Sequence, residues 1–158
     1  MKKDTIIILI FSSIIALLIF FRKPIKKIMT RGYRNNNPGN IRLTTKKWIG
    51  EIDGTDKDFK TFKSMPYGYR AIFALLREYI SKGYDTIEKI INRYAPPSEN
   101  ITSAYVKTVE KRTGIDKNRL ISFNEIDIIF KLVNSISYVE NGIEPNQNDI
   151  NEGYKLLS

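Results

Sequence analysis

The spacing of apolar residues divides the chain into an unbroken apolar run, a segment of short alternations and a series of helical repeats. The run covers residues 5–21, which are 17 uncharged residues in succession. This is at the short end of the ~17–25 residues that a bilayer-spanning helix needs. Because no small-x-small cleavage site precedes Arg22, we predict an uncleaved transmembrane anchor over residues 1–21 rather than a signal peptide.

The segment of short alternations follows the first asparagines. Residues 41–44, 48–52 and 59–62 are β-prone pieces, and Gly54 with its neighbouring aspartates separates the last two of them. Such turn chemistry between short apolar pieces is typical of hairpins. We therefore predict a small antiparallel sheet here.

From Tyr69 onward the apolar residues follow the helical period. Five helices are predicted, over residues 69–83, 86–94, from 100 or 102 to 113, 122–141 and 146–157. Their boundaries follow from the capping-box pair Ser122 and Glu125 and from stops such as Gly114 and Gly142.

Together these elements predict an α+β fold. A mainly helical domain with a small antiparallel sheet covers residues 35–158. One N-terminal transmembrane helix precedes it, and a basic juxtamembrane linker over residues 22–34 joins the two.

The chain contains no cysteine and no histidine among its 158 residues. This excludes disulfides, thiolate nucleophiles and the usual zinc ligands. It also excludes the commonest general base near neutral pH. Any catalysis must therefore depend on Asp, Glu, Tyr or Lys.

The net charge of +9 is concentrated near the apolar run. Residues 1–34 contain eight basic residues and one acidic residue, which leaves +2 for residues 35–158. This distribution favours attraction to anionic lipid headgroups and predicts no sequence-specific nucleic-acid binding. DNA binding by the basic stretch itself is the alternative.

The predicted location is the virion membrane or the host inner membrane, with a single membrane pass.

The fourth predicted helix has a glutamate at the end of its apolar face. The apolar stripe comprises Ile126, Ile129, Phe130, Val133 and Ile136, and Glu140 takes its next position. A partly buried carboxyl has a raised pKa and stays protonated near neutral pH, as a general acid for glycoside cleavage must. Glu140 is therefore the first candidate catalytic residue. Alternatively, its side chain reaches solvent or pairs with an arginine.

Glu99, in the sequence YAPPSENIT, is the second candidate catalytic residue. Because it precedes a predicted helix, its carboxylate also suits the positive end of the helix dipole. Asp53, Asp56 and Asp58 are best interpreted as turn residues, and their spacing does not match an EF-hand. We predict no metal and no cofactor.

Four residues are candidates for substrate binding: Asn36, Asn37, Asn40 and Trp48. A saccharide subsite combines a flat apolar face with amide donors and acceptors, and these residues supply both. The alternative for Trp48 is a packing role against the sheet.

Several motifs resemble a family of small phage and prophage proteins that includes virion-associated structural proteins of tailless phages with an internal membrane. They are RGYRNNNPGNIR, W-x-G, DFKTF, YGYRA, RYAPPSENITSAYV and VENG. The similarity extends from about residue 31 to about residue 142, and it implies a virion or prophage setting.

A more distant similarity bears on chemistry. NNPGNI, followed by W-x-G and F-x-x-F, resembles the substrate-cleft segment of lysozyme-like glucosaminidases. VENG resembles the E-S-G that closes the catalytic helix of lysozyme-like transglycosylases. Those enzymes carry the catalytic glutamate before the asparagine loop, where this chain has its apolar run. The similarity therefore implies a permuted lysozyme-like domain in which Glu140 lies beside residues 35–41.

We accordingly predict a membrane-anchored phage virion protein with a peptidoglycan-degrading domain, either a muramidase-like hydrolase or a lytic transglycosylase. A transglycosylase needs one carboxyl group, whereas a hydrolase normally adds a second. The predicted partners are peptidoglycan glycan strands, a lipid membrane and a capsid protein. The alternative is a non-catalytic virion membrane protein that binds glycan or a capsid partner.

Overall fold

The computed structural model describes residues 30–96 and 102–157. Within these residues it contains six helices and two strands. In chain order they are α1 (Arg31–Arg34), β1 (Glu51–Ile52), β2 (Thr61–Phe62), α2 (Met65–Ser81), α3 (Ile87–Tyr94), α4 (Thr102–Thr113), α5 (Ile126–Asn141) and α6 (Gln147–Lys155). Helix α1 lies inside the segment predicted as a linker.

The two strands form an antiparallel ribbon, as the sequence predicted. Glu51 pairs with Phe62 and Ile52 with Thr61. An isolated bridge between Arg42 and Phe59 continues the pairing toward the asparagine loop. The ribbon therefore ties residues 42–62 to the start of α2.

The five longer helices lie close to their predicted positions because capping residues define their ends. Thr86 accepts a hydrogen bond from the amide of Lys89 (3.2 Å) at the start of α3. Gly142, with φ at +63°, ends α5 in the left-handed conformation. Helix α5 begins at Ile126, later than predicted, although the Glu125 carboxylate does accept from the amide of Ser122 (2.9 Å).

The core lies between α2 and the helices that surround it. Ile72, Phe73 and Leu76 of α2 are fully buried. Aromatic rings of α5 and α6 pack against this face, because the Phe73 ring lies 5.1 Å from that of Phe130 and 5.2 Å from that of Tyr154. This core fixes α5, and with it the residues of its last turn.

The predicted fold class and location need correction. In residues 30–96 and 102–157, no helix combines the length and apolar character needed to cross a membrane. The longest, α2, has 17 residues, and it carries charged residues on its outer face. The predicted anchor, residues 1–21, lies outside the described residues. The structure thus supports an α+β, mostly helical fold with a two-stranded sheet, and it does not support the predicted transmembrane helix or single-pass location.

Candidate functional site

The loop that joins α1 to the bridge at Arg42 is held by its own asparagines. The side-chain amide of Asn37, which is fully buried, donates to the carbonyls of Ile41 (3.0 Å) and Lys60 (2.9 Å). Its Oδ1 accepts from the amide of Ile41 (2.9 Å). Asn36 donates to the carbonyl of Phe62 (3.0 Å). These two asparagines therefore bind backbone groups and fix the loop against the sheet.

Asn40 faces the opposite way, toward the end of α5. Its Nδ2 donates to Oε2 of Glu140 (3.0 Å) and to the backbone carbonyl of the same residue (3.3 Å). Asn40 has φ at +45°, a left-handed conformation that asparagine tolerates better than most residues. The strained loop thus supplies a donor both to a helix C-terminus and to a carboxyl group.

The other oxygen of Glu140 is held from α4. The hydroxyl of Tyr105 donates to Oε1 at 3.1 Å, and Tyr105 is only 5% exposed. A second tyrosine, Tyr94 of α3, donates to the carbonyl of Gly39 in the loop. Four chain segments therefore meet around one carboxyl group.

The environment of Glu140 favours its neutral form. Burial raises the pKa of this carboxyl, and the hydrogen bonds from Asn40 and Tyr105 and the charge of Arg42 oppose the rise only in part. Burial likewise raises the pKa of Tyr105 well above its ordinary value, with the nearby Glu140 adding to the shift. Glu140 is thus a carboxyl that retains its proton to higher pH than an exposed glutamate does.

Glu140 lines a cleft of about 530 Å³. The described lining residues are Asn40, Ile41, Arg42, Thr44, Lys46, Trp48, Phe59, Leu75, Glu78, Tyr79, Arg93, Tyr94, Ala95, Pro96 and Glu140. Aromatic rings and a few charged groups share this lining, as in many ligand sites.

A second carboxylate in the cleft has the opposite environment. Glu78 of α2 binds Lys46, which lies between the bridge at Arg42 and β1, and Lys82, which follows the last residue of α2, the latter at 2.6 Å. The hydrogen bonds from these lysines lower the pKa of Glu78 to about 2. The ammonium of Lys46 also lies 4.1 Å from the ring centre of Trp48. The cleft therefore contains one carboxyl that favours protonation and one that is firmly ionised.

The structure brings together three of the predicted site residues. Glu140, Asn40 and Trp48 line the cleft, whereas Asn36 and Asn37 hold the loop behind it. Glu99 lies outside the described residues. The sequence did not point to Tyr105, because it belongs to the buried face of α4 like any core tyrosine.

The acidic turn is occupied by an arginine. Arg31 binds Asp56 and Asp58, each at 2.7 Å, and Asp56 also accepts from Asn35 (2.7 Å). No group of three or more carboxylates in the described part of the chain is arranged to hold a metal ion.

The fold and the cleft define a class: an α+β protein in which a partly buried carboxyl faces an amide-rich loop. The chain is 35% identical over 131 residues to protein P5 of Pseudoalteromonas phage PM2. The match covers 79% of this chain and 80% of that protein. The chain therefore belongs to the family of phage PM2 protein P5. This relationship supports the predicted phage virion protein. No protein-family model matches the chain, and the similarity to lysozyme-like enzymes stays a prediction.

Proposed function

We propose that this phage virion protein cleaves the glycan strands of peptidoglycan, with Glu140 as the general acid. The supporting observation is the partly buried Glu140 carboxyl in the wall of an open cleft, held by Asn40 and Tyr105. A carboxyl that stays protonated near neutral pH can give its proton to a glycosidic oxygen as the C–O bond breaks. Trp48 supplies an aromatic face for a sugar ring in the same cleft.

The surroundings of the second carboxylate favour a transglycosylase over a hydrolase. A hydrolase normally uses a second carboxylate as base or nucleophile. Glu78, the other carboxylate in the described lining, is bound to Lys46 and Lys82. In the transglycosylase reaction, Glu140 first protonates the leaving oxygen. The resulting Glu140 carboxylate then takes the proton from a hydroxyl group of the same sugar. The oxygen of that hydroxyl group bonds to the anomeric carbon, and no water is consumed.

A non-catalytic role is the alternative, and one feature favours it. Both carboxyl oxygens of Glu140 already accept hydrogen bonds from the protein, and Asn40 also binds the carbonyl at the end of α5. Such a carboxyl can serve simply to join α5 to the loop. The protein would then be a virion component that binds glycan or a capsid partner without cleaving it.

Substitution of Glu140 by glutamine separates the two roles. Glutamine keeps the shape and can accept from Asn40 while donating to the Tyr105 oxygen. We expect Glu140→Gln to retain the fold and to lose ~10²-fold or more of wall-lytic activity. The measurement is zymography with mass analysis of released muropeptides. A transglycosylase product is lighter than the hydrolysis product by one water molecule.

The matched control is Glu152→Gln, because Glu152 is exposed on α6 and its carboxylate binds the exposed Lys155. This variant should keep full activity. Undiminished lysis by Glu140→Gln would exclude Glu140 as the acid. Absence of lysis by the unaltered protein would favour the non-catalytic role.

A further inference from the structure

The side chain of Lys46 connects two walls of the cleft and covers part of its surface. Its ammonium binds the Glu78 carboxylate of α2 and also lies 4.1 Å from the ring centre of Trp48. All three residues belong to the described lining of the cleft. Lys46 therefore occupies the aromatic surface that the proposed function assigns to a sugar ring.

The Trp48 ring leaves a ligand little other surface to use. The residue is half-buried and packs against the hydrophobic core, and its amide donates to Oε2 of Glu51 at 3.0 Å, which fixes its position. The side chain of Lys46 is 49% exposed, so its ammonium lies on the solvent side of the ring. A cation and a sugar ring bind an aromatic face at similar distances. The two cannot occupy the same face of Trp48 together.

Only a side chain has to move to uncover this face. The carbonyl of Lys46 accepts from the buried ammonium of Lys60 at 2.7 Å, which anchors the backbone. Glu78 also binds Lys82 at 2.6 Å, so its carboxylate keeps a cation when Lys46 departs. Exposed side chains change rotamer rapidly. Displacement of Lys46 thus requires neither a loop movement nor an unpaired carboxylate.

We propose that Lys46 is a specificity-determining residue that covers the Trp48 face until a sugar ring displaces its ammonium. A ligand then binds only if its packing on Trp48 outweighs the two contacts that Lys46 gives up, an exposed ion pair and a cation–π contact, both of which are weak. The displacement by a sugar rests on the proposed function, whereas the covering of Trp48 does not.

The covering of Trp48 can be measured without a ligand. Trp48 is the only tryptophan of the chain, so quenching of the fluorescence by acrylamide reports the exposure of its ring. We expect Lys46→Ala in the full-length protein to increase the quenching constant. Glu78→Gln, which keeps the lysine but removes its anchor, should change the constant in the same direction. The matched control is Lys47→Ala, since Lys47 is 72% exposed and is not among the described lining residues; it should leave quenching unchanged.

Displacement can be measured by calorimetry with a chitin oligosaccharide, a neutral probe. The proteins carry Glu140→Gln so that cleavage does not interfere. We expect Lys46→Ala to bind the probe up to about tenfold more tightly, because the probe no longer has to break the two weak contacts. Added salt should tighten binding by the protein that retains Lys46, because salt weakens the exposed ion pair, and should not affect the Lys46→Ala protein.

The direction of the change in affinity decides the role of Lys46. Weaker binding by the Lys46→Ala protein would show that Lys46 contacts the ligand and would overturn the inference, as would unchanged acrylamide quenching. If neither protein binds the probe, the proposed glycan function fails, and the quenching result alone decides whether Lys46 covers Trp48. Lysis of cell wall by the unaltered protein together with unchanged quenching would retain the proposed function and reject the inference.

Discussion

At the scale of single residues, Asn40 fixes the direction of its amide relative to Glu140. Its Nδ2 donates to the Glu140 carbonyl as well as to Oε2, so an exchange of its nitrogen and oxygen would place two acceptors against each other. Oε1 faces the hydroxyl of Tyr105, which can either donate or accept. The carboxyl group can therefore be hydrogen-bonded in both its protonated and ionised forms, as a residue that alternates between acid and base requires.

The raised pKa of Glu140 predicts how stability changes with pH. The folded protein keeps this proton to higher pH than the unfolded chain, whose glutamates titrate near ~4.3. Between that value and the raised pKa, the folded state binds more protons, so this group makes stability fall as pH rises. The Glu140→Gln variant lacks this group. It should gain stability relative to the unaltered protein by at most ~1.4 kcal/mol per pH unit within that window.

Urea unfolding at about pH 4, 6 and 8 measures this effect, since the window begins near the ordinary carboxyl pKa. The Glu152→Gln protein, altered at an exposed site, serves as the control and should follow the unaltered protein. Parallel stability curves for Glu140→Gln and the unaltered protein would show that the Glu140 pKa is not raised.

The sequence predicted the position of Glu140 but not its surroundings. Helical spacing places residue 140 on the stripe that contains Val133 and Ile136, and both of those residues are fully buried. Tyr105 could not be assigned in the same way, because it lies 35 residues away and its contact depends on how α4 packs against α5. A helical pattern specifies which face is buried, not which partner it meets.

At the scale of elements, one buried lysine supports the loop that forms a wall of the cleft. Lys60 is fully buried, and its ammonium donates to the carbonyls of Thr44 (3.1 Å) and Lys46 (2.7 Å) and to both oxygens of Glu51 (3.0 Å each). Burial by itself would raise the pKa of Glu51, but hydrogen bonds led by the one from Lys60 hold it below its ordinary value. Because the spacing of strand residues does not show that a lysine is buried, the sequence did not point to this contact.

Replacing Lys60 by methionine should destabilise the fold by ~3–5 kcal/mol, because it removes the buried cation that binds the Glu51 carboxylate. The matched control is Lys47→Met: Lys47 binds the same carboxylate at 3.2 Å, but its side chain is 72% exposed. Such a surface pair contributes ~0–1 kcal/mol. Equal effects of the two substitutions in urea unfolding would contradict the assigned role of Lys60.

The helix boundaries were the most predictable features of the fold. The remaining differences between predicted and observed helices have local causes. Helix α2 begins at Met65 rather than near Tyr69, because Pro66 occupies its first turn, where a missing amide hydrogen costs little. Helix α1 has four residues, too few for a periodic pattern to indicate it.

At the scale of the whole molecule, the cleft joins parts of the chain that are far apart in sequence. Its walls come from the loop around Asn40, from α2 and α3, and from the end of α5. The Asn40–Glu140 hydrogen bond alone spans 100 residues. The sequence could supply the residue types of a candidate site, but only the packing of α5 on the core shows which of them meet.

The composition of the chain and the contacts of its acidic turn predict how the protein responds to metal chelators. The chain contains no histidine or cysteine, so the usual zinc ligands are absent from all 158 residues. In the acidic turn, the Arg31 guanidinium binds the Asp56 and Asp58 carboxylates that a hard cation would need. We therefore expect EDTA to change neither the melting temperature nor strand binding by the full-length protein, and thiol reagents to have no effect.

Arg31→Gln offers a sharper test: removing the cation should make the acidic turn sensitive to added Ca²⁺, which would raise the melting temperature of that variant alone. A loss of stability or binding in EDTA that zinc or calcium restores in the unaltered protein would contradict this account.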